Sequence, residues 1–450
     1  MTKVKVRFVC NQCASTFPQW GGQCTQCGAW NALTEEGVRP KDQGSRPSGY
    51  AQQRSIITFA QDVVVDHEVR MLTGLSELDR VLGGGLVDGS VVLLGGDPGI
   101  GKSTVLIQTL ANLSSEHRVL YVTGEESLQQ VAMRAQRLQL PLAGLQLLAE
   151  THVEAIIEHA KASRPRVLVI DSVQTIFTDT LSAAPGGVSQ VREATAQLVR
   201  FAKTHRTAVF LVGHVTKEGS LAGPRVLEHM VDCVLYFEGQ SDSRFRVIRA
   251  IKNRFGAVNE LGVFAMTDRG LKEVSNPSAI FLSRQPDPMP GSAVMVTWEG
   301  SRPMLVEVQA LVDQAHGQPR RVISGLDSQR LAILLAVLHR HSGVATYDQD
   351  VFVNVVGGVK VSETGSDLAL LSAIVSSLRN RVFDPETIVF GEIGLAGEIR
   401  PVQSGQERLK EAQKHGFKRA ILPHANAPKH AINGMEVDAV KHVNDVLSKI

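Results

Sequence analysis

Three observations in the sequence predict an α/β protein with a nucleotide-binding core, a small metal-binding module ahead of it and an α+β domain behind it. A phosphate-loop motif sits between a strand-like and a helix-like segment. Apolar strand-type runs alternate with helical patterns from Ser90 to Phe237, and two C-x-x-C pairs lie among the first thirty residues. The chain has 450 residues, 43% hydrophobic and 20% charged, which is ordinary globular composition and enough for two or three domains with cores. No apolar run approaches the length needed to cross a bilayer. The start, Met1-Thr-Lys-Val-Lys-Val-Arg7, lacks the apolar region of a signal peptide, so a cytoplasmic chain with no membrane partner is expected. A formal net charge of +2 means that any nucleic-acid surface must be a local patch.

In chain order, residues 1–34 hold Cys10, Cys13, Cys24 and Cys27. Two C-x-x-C knuckles make the closed tetrahedral site of a structural zinc ribbon, and Gly21, Gly22 and Gly28 suit its turns. A disulfide pairing is the competing reading, which a reducing cytoplasm disfavours. The fifth cysteine, Cys233, lies in an apolar run and reads as a core thiol. Residues 35–55 are rich in Gly, Pro, Ser and charge without periodicity, and read as a linker.

Residues 56–274 carry the ATPase pattern. Ser76 and Asp79 are expected to cap a short helix that Gly83–Gly85 end. The strand Ser90–Gly95 then leads into Gly96-Asp97-Pro98-Gly99-Ile100-Gly101-Lys102-Ser103, which fits G-x-x-x-x-G-K-S/T at every fixed position, and Thr104–Leu113 has helical spacing. In such a loop, backbone N–H groups from Gly96 to Thr104 wrap the phosphates of ATP. Lys102 neutralises the outer phosphates and Ser103 ligates Mg2+. Further strands are expected at Val119–Thr123, Val167–Ile170, Ala208–Val212 and Cys233–Phe237. They imply a mainly parallel sheet with its chemistry at the C-terminal strand ends.

Two acidic sites fit that placement. Asp171, after Val-Leu-Val-Ile, has the position of a magnesium-holding Walker B carboxylate; Glu125 and Glu126 stand where a carboxylate can orient or deprotonate the attacking water, with Glu125 preferred. His214 reads equally as a phosphate contact or a surface histidine. Lys252-Asn-Arg254-Phe-Gly256 closes the strand expected at Arg244–Ile251, and reads either as a phosphate-binding group, for ATP or DNA, or as a solvated turn.

Residues 275–450 begin at a proline-marked boundary (Pro277, Pro286, Pro288, Pro290) and contain no second phosphate loop. Leu368, Leu371, Ile374, Val375 and Leu378 predict a helix; Gly391–Arg400 reads as a strand turn, and Gln406–Lys414 as another helix.

The order of four-cysteine ribbon, Thr73-Gly-Leu75 with Gly83-Gly-Gly-Leu86, phosphate loop, Gly124-Glu-Glu-Ser127 and Lys252-Asn-Arg-Phe-Gly256 closely resembles the bacterial RadA (Sms) family over essentially the whole chain. That resemblance implies a RecA-type core and a hexameric, DNA-stimulated ATPase. It further implies work on single-stranded and branched DNA with RecA recombinase, in branch migration and recombinational repair. It also implies that Lys252 and Arg254 act at a subunit junction in ATP turnover and DNA engagement. The last domain resembles the proteolytic domain of Lon. Aligned on Ala373-Ile-Val-Ser376, the nucleophile position falls on Gly365, one residue from Ser366, and the lysine position carries Glu407. A carboxylate supplies neither the ammonium nor the amine base of a Ser-Lys dyad, so a scaffold is expected. An ATP-dependent Lon-like protease and a KaiC-like signalling ATPase are the alternatives; the single phosphate loop and the ribbon oppose the second.

Overall fold

The computed structural model describes residues 5–13, 15–38, 69–213, 226–239, 244–279, 281–282 and 288–450. His214 and most of the 35–55 segment lie outside the described residues. The chain divides into two compact units, Met1–Val274 and Ser275–Ile450.

In the ribbon, β1 (Lys5–Cys10) pairs antiparallel with β2 (Thr16–Phe17) and β3 (Leu33–Val38). Pairing extends to Lys5 opposite Val38, so the last strand runs into the stretch whose composition reads as linker.

Beyond it, β4 (Arg70–Met71) and β5 (Leu86–Val87) bracket α1 (Ser76–Leu82). The expected capping by Ser76 and Asp79 is corrected. Leu75 is the N-cap and makes no side-chain bond, while Asp79 reaches back to accept the Thr73 N–H at 2.8 Å, because the preceding chain folds over the first helical turn. Gly83, left-handed at φ 86°, ends the helix as expected.

The core continues through β6 (Val91–Gly96), α2 (Lys102–Leu113), β7 (Val119–Thr123), α3 (Leu128–Arg137), β8 (Leu145–Ala149), α4 (Val153–Ser163), β9 (Val167–Asp171), α5 (Val188–His205), β10 (Ala208–Val212), α6 (Val226–Met230), β11 (Cys233–Glu238), β12 (Phe245–Asn253), β13 (Leu261–Thr267) and β14 (Gly270–Glu273). The nine-stranded sheet has the order β14-β13-β12-β11-β6-β10-β9-β7-β8, parallel from β11 to β8 and antiparallel from β11 to β14. Alternate residues feed two cores. Val92, Leu94, Tyr121 and Phe210 pack with α2 residues on one face, and Val91, Leu93, Leu120 and Leu211 pack with α4 and α5 residues on the other. The strand β8 has no counterpart in the sequence reading. It is a half-exposed edge strand of Leu, Gln and Ala without β-branched residues.

The second unit is built on β15 (Ser292–Glu299), β16 (Arg302–Gln314), β17 (Arg321–Ser324), α7 (Ser328–Ser342), β18 (Gln349–Val355), α8 (Asp367–Arg379), β19 (Thr387–Val389), β20 (Glu392–Ile393), β21 (Ile399–Arg400), α9 (Gly405–Lys414), β22 (Arg419–Pro423), β23 (Glu436–Val440) and α10 (Val443–Leu447). Its seven-stranded sheet runs β17-β18-β16-β15-β19-β22-β23, and β20 and β21 form the turn expected from Gly391–Arg400. The Arg408 side chain, fully buried, donates to both carboxylate oxygens of Glu363, to Gln403 O at 2.9 Å and to Val296 O at 2.5 Å. It lies between the Trp298 and Phe390 rings.

Removing that guanidinium takes away the counter-charge of Glu363 and leaves its carboxylate on the Trp298 N–H at 2.7 Å and the Thr297 hydroxyl at 3.2 Å. Arg408→Met is therefore expected to destabilise this unit by roughly 2–3 kcal/mol, the low side for breaking a buried pair because Glu363 keeps some solvent contact. Urea unfolding followed by Trp298 emission, in a chain with Trp20 and Trp30 changed to Phe, measures it; a loss below about 0.5 kcal/mol would show that the pair carries little stability.

Candidate nucleotide and metal sites

The phosphate loop leaves the sheet at Gly96. Gly101, at φ 120°, packs so closely on the unit's core that a Cβ would meet Met266 Cε at 3.0 Å. Asp97, Pro98 and Gly99 are exposed across the loop, while Ile100 is buried beneath it. The helix begins at Lys102, two residues earlier than its spacing predicts, so Lys102, Ser103 and Thr104 form the first turn, where N–H groups lack intrahelical partners. Lys102 is buried, and its ammonium donates to Gly96 O at 2.7 Å and Asp97 O at 2.8 Å. Burial lowers its pKa, and the charges of Asp171, Asp97 and Glu125 oppose that shift.

Asp171 ends β9, buried, and accepts a hydrogen bond from the Tyr121 hydroxyl. Burial and the Asp171 charge push the Tyr121 phenol well above its usual pKa. The two glutamates diverge. Glu125 accepts from the Ser172 hydroxyl and bears on Lys102, whereas Glu126 pairs with Arg134 on α3. Gly124 has no room for a side chain, since a Cβ would meet Thr175 Oγ1 at 2.0 Å. Just beyond, Ser127 and Gln130 form a capping box that fixes where α3 starts.

The Lys252–Gly256 motif lies elsewhere. The strand β12 extends through Asn253, past the expected end at Ile251, so Lys252 belongs to the strand. Because β12 is antiparallel to β11, Asn253 pairs with Cys233, which is level with Val92 near the start of β6. The motif thus occupies the opposite edge of the sheet from the phosphate loop, four residues and roughly 13 Å along the strand from Gly96. Lys252 donates to Glu228 O at 2.6 Å and Val231 O at 2.8 Å, and its pKa is lowered by burial and then by Arg254. Arg254, 58% exposed, pairs at 3.3 Å with Asp232, whose other oxygen accepts the Val91 N–H at 3.0 Å and the Lys203 ammonium. Phe255 and Gly256 pack on the glycine turn after α1: Gly83 and Gly256 meet backbone to backbone, and Arg70 bonds both Gly83 O and Phe255 O.

In the ribbon, the Cys10, Cys13, Cys24 and Cys27 sulfurs all lie within 4.8 Å of one another. Cys10–Cys27 at 3.6 Å and Cys13–Cys24 at 3.5 Å are far from disulfide length and near the about 3.8 Å expected between thiolates on one tetrahedral ion with metal–sulfur bonds of about 2.3 Å. The donor set and its spacing fit a closed metal site.

Family models match three stretches: an AAA domain over residues 60–220, subunit ChlI of Mg-chelatase over 312–426, and a rubredoxin metal binding domain over 8–35. Among known proteins, the DNA repair protein RadA of Pseudomonas aeruginosa is 65% identical over all of this chain and all of its own length. The chain belongs to the RadA family. The RadA of Escherichia coli is 58% identical, with 99% of this chain and 98% of that protein aligned, and the RadA of Bacillus subtilis is 46% identical over 99% of each. With its AAA domain, this RadA family member is an ATP-hydrolysing enzyme built of zinc ribbon, ATPase core and Lon protease-like domain. Among the described residues no helix is long and apolar enough to cross a membrane.

At the positions that resemble a Lon dyad, Gly365 sits against Glu363, Ser366 is buried with its hydroxyl donating to Glu363 O at 2.7 Å, and Glu407 is exposed on α9. Sequence reasoning missed Tyr121, Ser172, Arg134 and Asp232. Only Tyr121 left a signal, a phenol inside an apolar strand that must find a polar partner.

Gly124→Ala is expected to displace Glu125 and lower kcat for ATP hydrolysis at least about tenfold, since near-attack geometry tolerates little displacement. The added Thr175→Ala change removes the nearest atom and should recover part of the loss. Unchanged steady-state turnover in Gly124→Ala would show that the Gly124–Thr175 contact does not set Glu125.

Proposed function

We propose that the chain is a DNA-stimulated ATPase working as a hexameric motor on single-stranded and branched DNA, in branch migration and recombinational repair with RecA recombinase. DNA repair is the function in the name of each relative above. The observation that carries the motor reading is the position of Arg254 and Lys252 at the sheet edge opposite their own phosphate loop. Cations there cannot serve that loop's nucleotide, so they serve a neighbouring subunit's site or the DNA.

Within one subunit, the ATP phosphates lie over the first turn of α2, with Lys102 exchanging its loop carbonyls for phosphate oxygens. Ser103 and Asp171 hold magnesium, which supplies charge neutralisation when bound. Glu125, rather than Glu126, orients the attacking water, because Arg134 already engages the Glu126 carboxylate. The second unit is a scaffold for the ring. Gly365 and the exposed Glu407 provide no nucleophile and amine base, which disfavours the protease reading.

The ribbon metal is zinc, and the ribbon faces protein rather than DNA. Trp20 and Trp30 stand 61% and 72% exposed, as at protein contacts. RecA is the partner we assign to it.

Two outcomes are expected. Arg254→Ala and Lys102→Ala preparations should each have little ATPase activity, and mixed rings should recover some, since a junction pairing an intact Lys102 with an intact Arg254 then forms. No recovery, with mixed rings verified by tag pull-down, would assign Arg254 to DNA alone. Purified chain should also carry one zinc, lost in Cys27→Ser; elemental analysis finding less than about 0.2 zinc per chain would remove the ribbon assignment, because closed thiolate sites hold metal tightly.

A further inference from the structure

We infer that Arg246 is a positioning residue of the phosphate loop, a buried guanidinium that holds the Ile100 carbonyl and thereby aims the Gly101 N–H at the nucleotide. The inference rests on reading Gly96–Ser103 as the phosphate site. The strand β12 enters the sheet at the edge where β6 leaves it, because Phe237 of β11 is level with Gly96 on one side and with Ile248 on the other. Arg246, nearer the start of β12, is therefore delivered beside the loop, and it is only 6% exposed. Its stem runs along Gly239, where a Cβ would come within 2.9 Å of Arg246 Cδ. Its Nε donates to Ile100 O at 3.3 Å, and its Nη1 to Phe245 O at 2.9 Å.

The surroundings of the loop make such a donor necessary. A Cβ at Gly101 would meet Met266 Cε at 3.0 Å, Leu271 Cδ1 at 3.4 Å and Phe237 Cζ at 3.6 Å, and the Ile100 side chain is itself buried. A carbonyl buried in such a place must be paired, since an unsatisfied C=O costs about as much as a lost hydrogen bond. The choice of partner also sets a direction. The peptide from Ile100 to Gly101 is trans, so its C=O and its N–H point in opposite directions. With the carbonyl held on Arg246 inside the unit, the Gly101 N–H faces outward, beside the first turn of α2, where the phosphates bind. Gly101 is the N-cap of α2, so that N–H stands outside the helical ladder, and its φ of 120° is one that glycine adopts without strain. Arg246 thus acts on the nucleotide through one peptide plane.

Two substitutions separate the donor from the charge. Gln and Met both reach as far as the Nε of Arg246, but Gln places an N–H there and Met a methyl group. In the full chain, Arg246→Met should lower the affinity for fluorescent analogues of ADP and ATP about tenfold, the low end for a hydrogen bond to a charged group. The two losses should be equal, since the loop cradles phosphates that both nucleotides carry. Arg246→Gln should stay within about threefold of wild type, because it restores the bond to Ile100 O without the cation. Should Arg246→Met not fold, Arg246→Asn, whose amide stops one methylene short of Ile100 O, replaces it in the comparison with Arg246→Gln. Unmoved affinity in the variant that lacks the bond, a loss confined to the ATP analogue, or an Arg246→Gln chain as impaired as that variant would each overturn the inference. Lys102→Ala separates the two levels. If its ATP turnover equals that of wild type, the phosphate-site reading fails; if its turnover is lost while Arg246→Met binds both analogues as wild type does, only the role of Arg246 fails.

Discussion

The ATPase core depends on one strand being fixed at both ends by opposite charges. At its start, the buried Asp232 carboxylate takes the Val91 N–H; at its finish, the Lys102 ammonium bonds Gly96 O and Asp97 O. A carboxylate at the strand's amino end and an ammonium at its carbonyl end each satisfy backbone groups that the ladder leaves unpaired. With β6 held in this way, the flanking strands take their register from it, and the phosphate loop and the Lys252–Gly256 motif occupy opposite edges of one rigid sheet. Asp232 also joins α5 through Lys203 and the motif through Arg254, so three segments distant in sequence meet on one carboxylate.

That arrangement explains the glycines at the lower edge. Gly83, Phe255 and Gly256 lie against one another with no side chain between them, and Arg70 ties both backbones together. A loop seated this closely has little freedom of its own, so the exposed guanidinium of Arg254 is presented from a fixed base. The glutamates at the upper edge are sorted by the same kind of local chemistry. Thr123 and the α3 capping box set where the helix begins, and Arg134 on that helix engages Glu126 while Glu125 stays beside Ser172.

Much of this was legible in the sequence, and the boundary is physical. The parallel strands carry uninterrupted apolar runs because both faces are buried, and the phosphate loop is specified by glycines and lysine at fixed spacing. The four cysteines announce their own geometry. The capping of α1 was misread because Asp79 serves the chain that folds over the helix, which local spacing does not encode. The strand β8 was invisible because an edge strand needs only partial burial. The Tyr121–Asp171, Arg254–Asp232 and Arg408–Glu363 bonds all join segments that topology alone brings together, and their residues look unremarkable where they stand in the chain. His214 lies outside the described residues.

The buried pair in the second unit bears on what can be built into this domain. A serine introduced at position 365 would bring its Cβ to within 2.9 Å of Glu363 Oε1, and Arg408 holds that carboxylate in place. Removing Arg408 first leaves the Glu363 carboxylate without its counter-charge; removing Glu363 first leaves a guanidinium with no exposed surface between the Trp298 and Phe390 rings. Each single step costs stability before any gain in chemistry, so a serine nucleophile is not reached at this position by one substitution. The ion pair locks the corner that such a nucleophile would need.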